Sequence, residues 1–89
     1  MDLLQLHYFR TVARLEHMTR AAETLNVAQP ALSKTITRLE RELGVPLFDR
    51  QERRIRLNPY GQAFLDKVEQ ALNLLEQAKQ EVADMAGME

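Results

Sequence analysis

Gln29, Ser33, Lys34, Thr37, Arg38 and Arg41 place an amide, two hydroxyls and three cations within thirteen residues. At about 100° per residue, Pro30, Lys34, Thr37, Arg38 and Arg41 share one side of a helix, with Ser33 on its flank. No acid lies near the centre of that face, and Glu40 and Glu42 fall to the sides. Such groups donate and accept hydrogen bonds and neutralise anions. That is the chemistry needed to meet base edges and phosphates in a nucleic-acid groove. Taken alone, the same face is also what an ordinary solvated helix presents.

A second cationic run follows. Arg50, Arg53, Arg54 and Arg56 put four guanidinium groups within seven residues. The net charge of −1 hides this concentration. Residues 1–61 carry ten Lys/Arg against seven Asp/Glu, or +3, and residues 62–89 carry two against six, or −4. The first part of the chain can therefore face an anion while the tail does not.

Bond-making chemistry has no comparable support. There is no cysteine, and His7 and His17 have no acidic or histidine cluster around them, so neither a metal nor a catalytic role is expected. No nucleophile–base set, glycine-rich phosphate loop or metal-ligand spacing appears, so the chain is read as a non-enzyme without cofactor or metal. No apolar run is long enough to span a membrane, and no signal-peptide pattern opens the chain. The expected location is the cytoplasm.

The elements that must carry these side chains are mostly helices. Asp2 and Gln5 make a capping-box pattern before a helix that, with Leu3, Leu6, Tyr8, Phe9, Val12, Ala13 and Leu15 at helical spacing, is mostly core material. Thr19 suits the cap of a short second helix with a small-residue face at Ala21 and Ala22, ended by Asn26. Pro30 suits the first turn of a third helix, and Gly44 followed by Pro46 stops it. Leu32, Ile36, Leu39 and Leu43 form its apolar stripe. Two helices joined by about three residues read as a helix-turn-helix, although an ordinary helix corner has the same outline.

Arg54, Ile55, Arg56 and Leu57 alternate as a half-buried strand does. A short β-hairpin with Gln51 and Glu52 near its tip would turn Ile55 and Leu57 inward and the arginines outward. Asn58 and Pro59 then open a last helix, in whose first turn Gly61 allows close backbone packing. Phe64, Val68, Ala71, Leu75, Ala78, Val82 and Met85 follow at alternating spacings of four and three. That heptad seam, flanked by Leu65, Leu72 and Ala86, is read as the surface of a homodimer, with part of one side docked on its own domain. Intramolecular packing alone is the competing reading.

The whole run from Leu3 to about Ala86 resembles the N-terminal DNA-binding region of LysR-type transcriptional regulators. The resemblance rests on F-R-T-V-A (Phe9 to Ala13), T-R-A-A-E-T-L (Thr19 to Leu25), the run from Ala28 to Arg50, and R-R-I-R-L-N-P-Y-G (Arg53 to Gly61), in that order and spacing. It implies a mainly α fold. Residues 1–58 would form a winged helix-turn-helix, with the helix-turn-helix over about 18–37 and the wing over about 47–57. Residues 59–89 would form the linker and dimerisation helix.

Carried over by position, the resemblance makes Gln29, Pro30, Ser33, Lys34 and Thr37 the DNA-facing set, and Arg53 and Arg54 the wing contacts. Arg38 joins them from the helix face itself. The expected partners are double-stranded DNA, read as an interrupted inverted repeat, and a second copy of the chain. Higher assembly belongs to a full-length protein. An effector would bind only through a C-terminal domain beyond these residues, which makes the chain a DNA-binding fragment. Three positions depart from the family pattern. Ala28 stands where a capping serine is frequent, Glu52 where the wing tip is often glycine, and Asn58 where threonine is frequent. A winged-helix and coiled-coil module that binds protein remains the alternative function, favoured slightly by the acidic tail.

Overall fold

The computed structural model describes residues 1–51 and 54–87 of the 89. Its elements run α1 (Leu3–Leu15), α2 (Met18–Leu25), α3 (Gln29–Leu43), β1 (Phe48–Gln51), β2 (Arg54–Leu57) and α4 (Pro59–Gly87). Helix α1 opens with the expected capping box: Gln5 N–H donates to Asp2 Oδ1 at 2.8 Å, and Asp2 N–H donates to Gln5 Oε1 at 3.3 Å. It ends at Glu16 in the left-handed region (φ 49°).

Helix α2 starts two residues earlier than the sequence suggests. Its N-cap is His17, whose Nδ1 accepts from Arg20 N–H at 3.1 Å, and not Thr19. Met18 packs against the core and draws the helix start back, which moves Thr19 to the second helical position. Asn26 ends α2 in the left-handed conformation its short amide tolerates (φ 57°). Helix α3 starts with no side-chain cap, because Ala28 occupies that position, and ends at Gly44 (φ 79°).

Leu32, Ile36 and Leu39 are fully buried between α3 and the first two helices. Leu43, the last residue of the expected stripe, is not. It stays 36% exposed because the final turn of α3 lies outside the core cluster.

The two strands pair antiparallel, Phe48 with Leu57 through Gln51 with Arg54. Ile55 is buried, Leu57 is half-buried, and Arg54 and Arg56 are exposed, as the alternation implies. Two acids from the helices fasten this hairpin. Glu40 of α3 accepts from Leu47 N–H at 2.7 Å, and Glu16 accepts from Leu57 N–H at 2.8 Å.

Asn58 joins the wing to α4. Its Oδ1 accepts from Gly61 N–H at 2.8 Å, and its Nδ2 donates to the Pro46 carbonyl at 2.8 Å. Its own N–H donates to the Leu47 carbonyl at 3.0 Å. A Cβ on Gly61 would overlap that same Leu47 carbonyl oxygen and approach Leu57 Cδ1 to 2.5 Å, so only glycine fits.

Phe9 is the centre of the core. Its ring lies 5.8 Å from Phe48 of β1 and 5.2 Å from Phe64 of α4, tilted 57° and 58°. The seam of α4 therefore divides. Phe64 packs on the core half-buried, and Val68 is 3% exposed, so both serve mainly the chain's own domain. From Ala71 onward the remaining seam residues are exposed. Arg14 of α1 grips Glu69 through two bonds of 3.0 and 2.7 Å and fixes α4 against α1. The body measures 56 × 26 × 19 Å, the long dimension reflecting the 29 residues of α4.

Candidate nucleic-acid interface

Burying Leu32, Ile36 and Leu39 turns the opposite side of α3 outward, and that side is uncovered along its length. Pro30, Ser33, Lys34, Thr37, Arg38 and Arg41 line one shallow concave strip. Ser33 and Thr37 are half-buried on its floor, and Pro30, Lys34, Arg38 and Arg41 stand exposed around them. Among the described residues, Lys34, Arg38 and Arg41 form no ion pair. Three free cations around two hydroxyls make a face that repels cations and has open hydrogen-bonding capacity for an anion.

Gln29 lies at the start of the same helix but is not free. Its Oε1 accepts from the Thr19 hydroxyl at 2.9 Å. The short α2–α3 corner creates this contact, and the sequence offered no periodic signal for it.

The wing contributes unequally. Arg54 and Arg56 face outward from β2 and line a cleft with Glu16, His17 and Arg20 at the α1–α2 corner. Arg50 is partly engaged, since its guanidinium lies 3.8 Å from Glu40 Oε1. Arg53, expected as a wing contact, lies outside the described residues, as does Glu52. Arg56 belongs to the outward arginines the alternation implied, but Arg20 was not among the expected contact residues. Its cationic type is the only mark Arg20 carries in the sequence, and nothing in the spacing shows that the chain corner brings it to the wing.

A second surface lies on the far half of α4. Leu75 is 43% exposed, Val82 66% and Met85 70%. Leu72, Leu75, Ala78 and Val82 line an apolar groove with Leu3 and His7 of α1. Ala71 and Ala78 keep the helix surface low between the larger side chains.

No group of three or more His, Cys, Asp or Glu side chains among the described residues could hold a metal ion. No described helix is long and apolar enough to cross a membrane.

Comparison with known proteins places this geometry. Residues 3–62 match the family model described as bacterial regulatory helix-turn-helix protein, lysR family. The chain is 51% identical over 82 residues to the uncharacterized HTH-type transcriptional regulator YybE of Bacillus subtilis (strain 168), covering 92% of this chain and 28% of that protein. The HTH-type transcriptional regulator BudR of Klebsiella aerogenes is 43% identical over 86 residues, covering 97% of this chain and 60% of BudR. This chain therefore spans less than two thirds of either relative. Among solved structures, the BenM DNA-binding domain in complex with benA site 1 DNA superposes with a TM-score of 0.90 at 34% identity, covering 96% of this chain and 99% of that one. The relatives are transcriptional regulators, and the winged helix-turn-helix, the paired wing and the long last helix recur in the structural neighbour. On these grounds the chain belongs to the LysR family of bacterial regulatory helix-turn-helix proteins.

Proposed function

We propose that these residues are the DNA-reading part of a bacterial transcriptional regulator, acting in the cytoplasm as a homodimer on an interrupted inverted repeat. The observation that carries this reading is the uncovered concave strip of α3, with Lys34, Arg38 and Arg41 unpaired around Ser33 and Thr37. A B-DNA major groove accepts one helix of this width. Lys34 would meet guanine N7 or O6, and the Gln29 amide would read adenine bidentately. Ser33 and Thr37 would reach bases or phosphates, with the Thr37 methyl available to thymine. Pro30 would set the helix start against the backbone, and Arg38 would hold phosphates. Arg54, with Arg53 beside it in sequence, would add wing contacts to the minor groove or its phosphates.

The homodimer rests on the far half of α4. Leu75, Ala78, Val82 and Met85, with Ala71 between them and the docked turns, are the part of the seam left to a second copy. A paired helix would carry two reading heads and so favour two half-sites. Effector sensing in such a regulator lies outside the 89 residues, and no cofactor or catalysis enters the mechanism.

The test is fluorescence anisotropy of this chain on labelled duplexes, one pool carrying paired randomised half-sites and one a scrambled sequence, across a salt series. The reading expects enrichment of an interrupted inverted repeat and an affinity that falls steeply with salt, because phosphate contacts release counterions. A folded dimer that enriches no sequence at low salt would overturn it.

A further inference from the structure

The Thr19 hydroxyl has no capping duty, because His17 already caps α2 through Nδ1. It donates across the α2–α3 corner to Gln29 Oε1 at 2.9 Å. Gln29 is the first residue of α3, where Ala28 offers no side-chain cap. Its amide is thus held by the preceding helix instead of being spent on its own. We propose that Thr19 is a specificity-determining positioning residue, whose hydroxyl pins the Gln29 amide so that each α3 accepts adenine over guanine at the base pair Gln29 meets. The inference rests on the DNA-reading role proposed for Gln29.

A glutamine free in solvent has three rotatable side-chain bonds, and fixing them opposes binding. The bond to Thr19 does part of that ordering before DNA arrives. It also selects among bases. With the hydroxyl hydrogen on Oε1, both Nε2 hydrogens remain free and Oε1 keeps one lone pair. Adenine offers N7 as an acceptor and its 6-amino group as a donor, which matches one Nε2 hydrogen and that lone pair. Guanine offers acceptors at both N7 and O6. An unpinned amide can turn to give guanine both its hydrogens. A pinned amide cannot do so without leaving Thr19, and it would set Oε1 against guanine O6.

Thr19→Val removes the hydroxyl at nearly constant size, and Thr19→Ser keeps it. Two measurements decide the matter. The first needs no DNA: in the ¹⁵N-labelled free chain, the Gln29 side-chain amide signals should shift in Thr19→Val and return in Thr19→Ser. Unchanged signals in Thr19→Val would overturn the proposal. The second uses the duplex enriched by the wild-type chain, and the same duplex with adenine changed to guanine at the position that Gln29→Ala desensitises. Thr19→Val should weaken binding roughly threefold to tenfold per half-site and narrow the preference for adenine. That effect should vanish in the Gln29→Ala background and leave the salt dependence unchanged. If Thr19→Val costs as much without Gln29 as with it, or lowers the salt slope, Thr19 is a direct phosphate contact and the proposal fails. Were the wild type to enrich no sequence, the DNA-reading role of the face would fall as well. Enrichment together with an additive double mutant would overturn the positioning role alone.

Discussion

Helices α3 and the far half of α4 carry the same kind of apolar stripe and meet opposite fates. In α3, Leu32, Ile36 and Leu39 are entirely covered. In α4, Leu75, Val82 and Met85 keep 43%, 66% and 70% of their surface exposed. The periodicity is equally regular in both. What differs is distance from the body. Helix α3 lies across α1 and α2 for most of its length, whereas α4 is roughly 43 Å long at 1.5 Å per residue and leaves the core after Leu72. A stripe states which residues share a face, and the neighbouring mass decides what covers it. The polar side of α3 is then exposed because its apolar side is satisfied, while α4 exposes its apolar side for want of a cover.

That contrast can be broken or sharpened by substitution. Ile36→Ala removes fully buried methylenes and should lower the unfolding free energy by about 3 kcal/mol, read by urea denaturation at fixed protein concentration. Leu75→Lys with Val82→Lys should do something different. Two charges in the seam should weaken self-association by roughly a hundredfold or more while the helical content of the monomer persists, read by sedimentation equilibrium and circular dichroism. Equal loss of fold in both variants would erase the distinction between a covered and an uncovered stripe.

Lys34→Ala probes the outer face of α3. It should leave stability unchanged within about 0.5 kcal/mol, reduce affinity for the enriched duplex about tenfold, and relax the preference for guanine at the base pair Lys34 meets, read by anisotropy on singly substituted duplexes. The smallest effect belongs to Glu40→Gln. The neutral amide can still accept from Leu47 N–H but loses the charge that strengthens the bond and faces Arg50. A loss of about 1 kcal/mol in unfolding free energy is expected.

Much of the architecture was legible because it depends on residues adjacent in sequence. The Asp2–Gln5 box, the Asn26 and Gly44 stops, the Asn58 start and the inward Ile55 are local chemistry, and each appears where the residue types put it. Features that depend on contact across the fold were not legible in the same way. The histidine cap of α2 arises because Met18 is drawn into the core. Glu40 looks like a flanking solvated acid until Leu47 is folded back over it. Phe64 and Val68 belong to the heptad spacing as fully as Leu75 does, yet Phe9 and the core claim them. In the candidate site, the residues on one helix face were readable from their angular positions. The hold of Thr19 on Gln29 and the gathering of Arg20 beside Arg54 and Arg56 were not, because two chain reversals create them.

The junction at Asn58 and Gly61 has a mechanical consequence. Three hydrogen bonds from Asn58 and a backbone approach that excludes even a methyl group leave no compliance between the root of α4 and the strand that bears Arg54. The Arg14–Glu69 pair and the burial of Val68 and Leu72 extend that rigidity along α4, so wing, helix root and body move as one block and the free arm of α4 begins only after Leu72. From there to Gly87 it reaches roughly 22 Å at 1.5 Å per residue, an outrigger through which any turn of its far end is passed undiminished to the wing arginines.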